Sequence, residues 1–162
     1  MKKTIFKKYE SLGYWFFISH SFKAQIVGNF LTDSYSDNFV RAWLVNDMWT
    51  KGGSEMVDLE KKDDSIIFSD AYDDSDDKLK FTVSSAIFLK ILNEWKCARE
   101  EDKEYIVIEV SDDDDVHIYG TDHVEISEEE QSEQKRLREN MYKKINLHEP
   151  FKSLSKKKIS DR

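Results

Sequence analysis

Between residues 65 and 120 the apolar pattern changes period twice, and nothing else in the chain constrains its fold as tightly. SIIFSD (65–70) and KLKFTVS (78–84) are short runs of strand formers on either side of a polar stretch. SSAIFLKILNEWKCARE then places Ile87, Phe88, Ile91, Leu92 and Trp95 on one helical stripe, with Ser84 or Ser85 as the N-cap. EYIVIEV and VHIYG return to the strand pattern, and alternation puts Ile106, Ile108 and Val110 on one face. Strand, strand, helix, strand, strand predicts an α+β fold, a small antiparallel sheet with an amphipathic helix packed on it.

The flanks are read from the same rules. GYWFFIS (13–19) predicts a buried strand. FKAQIVGNFL and FVRAWLVNDMW admit two readings: a hairpin around TDSYSDN, or helices. Helix is favoured for the second run, because Val40, Trp43, Leu44 and Met48 share a face, Ser36 is placed to cap it and Gly52 to end it. GGSE marks a break. Ser127 and Glu130 form a capping box for a charged C-terminal helix, with Glu128–Glu130 at its positive end and Lys143 and Lys144 at its negative end. Leu137, Met141 and Ile145 give that helix a narrow apolar stripe. A single domain is expected over 1–147, followed by a mobile basic tail over 148–162. Trp15, Trp43, Trp49 and Trp95 are most simply core residues.

Charge is distributed unevenly. Residues 1–54 carry a net +3, 55–130 a net −17 and 131–162 a net +6. Two Asp runs dominate the acidic middle: DAYDDSDDK, with Asp73, Asp74, Asp76 and Asp77, and SDDDDV, with Asp112, Asp113, Asp114 and Asp115. A body this acidic disfavours direct nucleic-acid binding, since phosphate contacts need Lys and Arg. Neither Asp run has the Gly and Glu that an EF-hand loop requires. The histidines, His20, His117, His123 and His148, lack paired metal-ligand spacing, so no metal or cofactor is expected. Cys97 is the only cysteine, which excludes an intrachain disulfide, and it is expected to be a partly buried structural thiol. The triplet Asp58, Glu60, Lys62 and the pair Glu94, Lys96 resemble nuclease carboxylate–lysine sets, but chance produces such sets in a chain that is 36% charged. No catalytic residue is assigned. The apolar run after MKKTIFKK is too short for a signal peptide or for a bilayer span of about 20 residues, so a cytoplasmic, non-membrane protein is expected.

The Asp runs are either solvated loops or a negative field that steers a basic partner. Exposed like charges a few ångströms apart repel by only about 1 kcal/mol in water. Two runs following strands of one expected sheet would lie on one side, joined by Glu100, Glu101 and Asp102. The order strand, acidic loop, FTVS, helix ending in LNEW, hairpin resembles the small acidic immunity proteins of bacterial toxin–immunity pairs, including contact-dependent inhibition systems. The resemblance covers about residues 65–120. It implies a non-enzymatic cytoplasmic protein that binds one cognate toxin domain with a basic surface, often a nuclease. The eight Asp residues would then imitate the phosphates of the toxin's substrate. The alternative is an acidic decoy or adaptor, such as a phage-encoded inhibitor of a nucleic-acid-binding enzyme; a metal-dependent enzyme is a distant third.

Overall fold

The structure, a computed structural model, describes residues 2–10, 13–33 and 36–146, with side chains for these except 137–138 and 141–146. The expected tail at 148–162, the boundary at 147 and the stripe of Leu137, Met141 and Ile145 lie outside the described residues or side chains. Two compact units result, Met1–Val124 and Glu125–Arg162.

The first unit is α+β. In chain order it contains β1 (Lys2–Tyr9), β2 (Gly13–Ser19), α1 (Phe22–Thr32), α2 (Asp37–Val45), β3 (Lys51–Gly53), β4 (Val57–Lys62), β5 (Ser65–Asp70), β6 (Lys80–Ser84), α3 (Ser85–Glu101), β7 (Tyr105–Val110) and β8 (Val116–Thr121). The strands form two antiparallel sheets, β2-β1-β7-β8 and β3-β4-β5-β6, rather than the one expected. The hairpin pairings β5–β6 and β7–β8 are those the sequence predicts. They are separated because α3 is the crossover from one sheet to the other. It packs on β8 of the first sheet and on β5 and β6 of the second.

Both helices of this layer touch both sheets. α1 packs on β7, β1 and β2 on one side and on β5, β4 and β6 on the other. One apolar cluster therefore joins Phe6, Ile106 and Ile108 of the first sheet, Leu59, Ile66 and Phe68 of the second, and Val27, Phe30, Phe88 and Leu92 between them. The predicted stripe of α3 is correct: Phe88, Ile91, Leu92 and Trp95 are buried and Ile87 packs against them. Ser84 is its N-cap, accepting the Ile87 N–H at 3.1 Å.

The 22–49 segment is helical in both runs. α2 stops at Val45, with Asn46 as C-cap, so Gly52 does not end it but belongs to β3. Lys61 closes the helix end instead, its Nζ donating to the Trp43 and Asn46 carbonyls at 2.5 Å each. Val40, Trp43 and Leu44 face the core as expected, whereas Met48 lies beyond the helix and is 89% exposed. Trp15 and Trp49 are exposed too, which leaves Trp43 and Trp95 as the core tryptophans. β2 is only half buried: Tyr14 and Ile18 are buried, Trp15 is exposed, and Phe16, though paired with Phe6 and in edge-to-face contact with its ring, stays partly exposed because β2 is a sheet edge.

Gly28 sets how closely α1 approaches β1. A Cβ there would stand 2.2 Å from Cζ of Phe6, a ring that is itself 1% exposed. Alanine gains about 0.8–1 kcal/mol of helix propensity over glycine, but forcing a methyl into a filled core costs about 1–3 kcal/mol. Gly28→Ala is therefore expected to destabilise, read as a lower urea midpoint at unchanged slope; an unchanged or higher midpoint would mean the helix can shift freely.

In the second unit, α4 (Glu128–Asn146) begins where the capping box predicts, with the Glu130 N–H donating to Ser127 Oγ at 3.1 Å and three Glu in its first turn. Among the described residues no helix is long and apolar enough to cross a membrane.

Candidate functional site

The two Asp runs have opposite local chemistry. The first, after β5, is held by consecutive side-chain turns. Asp70 Oδ1 accepts the Tyr72 N–H at 2.9 Å, and Asp73 Oδ1 accepts the Ser75 hydroxyl at 2.5 Å and the Ser75 N–H at 3.0 Å. The Ser75 hydroxyl, and then its N–H, hold the Asp73 carboxyl below the usual carboxylate range. Asp74, Asp76 and Asp77 are exposed and make no hydrogen bond or ion pair with a described residue.

The second run is tied into the fold. Lys23 of α1 pairs with Asp114 at 2.5 Å, and Lys90 of α3 with Asp115 at 3.0 Å. Asp113 is bonded to the Ser111 hydroxyl, which is the main reason its carboxyl titrates below the usual range. Asp114 adopts a left-handed φ of 64°, and the Ser111 N–H bonds the Asp115 carbonyl at 2.9 Å. This loop fastens the β7–β8 hairpin to both helices of the central layer, and Asp112 alone has no such tie among the described residues.

Although they leave different sheets, both loops reach the first turn of α1. Lys23 bonds Asp114 of the second loop. On the same turn, Phe22, with Ile26 and Asn29 beyond it, lines a groove of about 230 Å³ with Met56, Asp70 and Tyr72 beside the first loop. Phe22, Met56 and Tyr72 are 39%, 45% and 76% exposed. The groove floor is thus apolar and aromatic, with Asp70 in its lining and Asp33 accepting the Met56 N–H at 3.0 Å. Sequence reasoning found the carboxylates and missed the groove, because Phe22, Met56 and Tyr72 come from three separate segments. An aromatic inside an acidic run, Tyr72, was the available signal.

Other expected elements fall elsewhere. Glu100, Glu101 and Asp102 do not join this field. Glu101 lies beside Gly120 at the far end of β8, about 13 Å of strand from the second loop, and Asp102 pairs with Lys8 at 2.6 Å. Asp58, Glu60 and Lys62 alternate on the outer face of β4, all exposed. Glu94 accepts the Ile118 N–H at 2.8 Å and bonds His117 Nδ1 at 3.0 Å, while Lys96 is exposed. Cys97 is exposed rather than partly buried, since it lies off the apolar stripe one turn beyond Glu94; with His117 and Tyr119 it borders a shallow groove. Among the described residues no group of three or more His, Cys, Asp or Glu is arranged to hold a metal ion. No protein-family model matches the chain, and no curated protein or solved structure matches it significantly.

Proposed function

We propose that this protein is a non-enzymatic binding inhibitor, an immunity protein that neutralises a cognate bacterial toxin domain in the cytoplasm, and that the toxin is a nuclease with a basic cleft. The observation that carries the reading is the convergence of both Asp runs on the α1 turn that borders the groove of Phe22, Met56 and Tyr72. Fixed carboxylates accelerate the approach of a basic surface and select against acidic ones. Partly exposed aromatic and methionine side chains supply the apolar anchor that charge alone does not. The first loop docks, with Asp74, Asp76 and Asp77 presented to Lys and Arg and Asp73 adding its charge while it holds Ser75. The second is paired to α1 through Lys23 and adds field through Asp112 and Asp113.

The test begins with gene order. The gene for this chain is expected directly downstream of one encoding a large secreted protein with a variable C-terminal domain. Co-expressed with that domain, the full chain should form a stoichiometric complex and abolish the domain's toxicity. A gene set instead in a phage early operon, with the chain retained on a host nucleic-acid enzyme and indifferent to any toxin domain, would replace immunity with the decoy reading.

A further inference from the structure

The two sheets have four outer strands, and three of them are blunted. β3 is three residues long and begins with Lys51. β6 starts with the exposed Lys80 and has α3 packed on it. β8 lies along α3, and its Ile118 N–H is taken by the Glu94 carboxylate at 2.8 Å. Short length, lysine and a covering helix are the usual means by which a sheet avoids adding a foreign strand. β2 has neither the short length nor the lysine, although α1 packs on it. It runs for seven residues, GYWFFIS, without a charge or a proline in a chain that is 36% charged. Trp15 and Phe16 on it are 55% and 43% exposed. Its one irregularity is a bulge at Phe17, where the partners of β1 step from Ile18 to Phe16; this leaves 13–16 as the regular run.

We propose that β2 is where two copies of this chain join, antiparallel and edge to edge, making one eight-stranded sheet. A strand without charge carries nothing that selects a charged partner, and it meets its own copy with no like charges opposed. Lys7 and Lys8 stand on β1 opposite Trp15 and Tyr14. In the dimer the two β1 strands would be three strand spacings, about 14 Å, apart, beyond the Debye length of about 8 Å at physiological salt. A two-fold axis at Phe16 or Trp15 brings Phe16 opposite, or one diagonal step from, the same residue of the second copy. The acidic groove lies on other elements, so the dimer edge and the toxin-binding groove would serve different partners.

Sedimentation equilibrium of the full chain across a range of concentrations is the test. The parent should show a monomer–dimer equilibrium. Phe16→Lys and Phe16→Glu should each be monomeric with unchanged far-ultraviolet circular dichroism, and an equimolar mixture of the two should dimerise again. A parent that is monomeric at every concentration would overturn the proposal whether or not the variants fold. So would folded variants that dimerise as the parent does, or a monomeric parent whose β2 edge is taken by a strand of the toxin.

Discussion

Phe88→Ala is expected to cost about 3–5 kcal/mol of folding stability, the range for truncating a fully buried aromatic residue. Phe88 is 0% exposed, and its ring centroid lies 5.8 Å from that of Phe68, 6.2 Å from Trp43 and 6.3 Å from Phe30. Those partners come from β5, α2 and α1, so one side chain on α3 joins the second sheet to the whole helical layer. Aromatic contacts of this kind are worth about 0.5–1.5 kcal/mol each beyond the area they bury. A domain is stabilised by only about 5–15 kcal/mol in all, so the variant should lose a large fraction of the total. Urea unfolding followed by tryptophan fluorescence measures it. Phe88→Leu, which keeps most of the volume, should fall well short of the alanine loss. A loss below about 0.5 kcal/mol, the level of ordinary surface sites, would mean that the central layer is not packed as described.

The parts of this fold that were legible in the sequence are those with one buried face. α3, β5, β6, β7 and β8 each show a clean period, and their ends were found to within about two residues, the ordinary uncertainty of boundaries. α1 was ambiguous for a physical reason: it lies between two sheets, so Ala24, Ile26, Val27, Phe30 and Leu31 are buried around most of its circumference and the helical period is blurred. β1 was hidden because Lys2, Lys3, Lys7 and Lys8 flank its three buried residues, Thr4, Ile5 and Phe6. β4 was missed although VDLE alternates buried and exposed, a period-two signal that was there to be read. The division into two sheets was not legible, since local pattern identifies hairpins but not which hairpins share a sheet. The Asp runs illustrate the same limit. Their charge was plain, yet the Lys23–Asp114 pair joins residues 91 positions apart, and it is this pair that distinguishes a fastened loop from an available one.

That distinction makes the second large effect asymmetric between the runs. Replacing Asp73, Asp74, Asp76 and Asp77 by Asn removes four charges at constant side-chain size. Folding should be retained, because Asp74, Asp76 and Asp77 have no tie within the described residues and Asn can still accept the Ser75 bonds at position 73. Association with the toxin domain should slow by about tenfold or more, within the range electrostatic steering supplies. The matching replacement of Asp112–Asp115 should instead lower stability, since it removes the carboxylate charges facing Lys23 and Lys90, and should slow association less.

Stopped-flow association with the toxin domain as a function of ionic strength therefore bears most directly on the claim that the first Asp run meets a basic partner. The parent's on-rate should fall steeply with salt. The Asp73, Asp74, Asp76 and Asp77 to Asn variant should start lower and show a shallower slope, the two approaching each other where screening is strong. Identical on-rates and slopes for the two proteins across the whole range would contradict the account: the loop would be merely solvated, and the interface would lie on another surface.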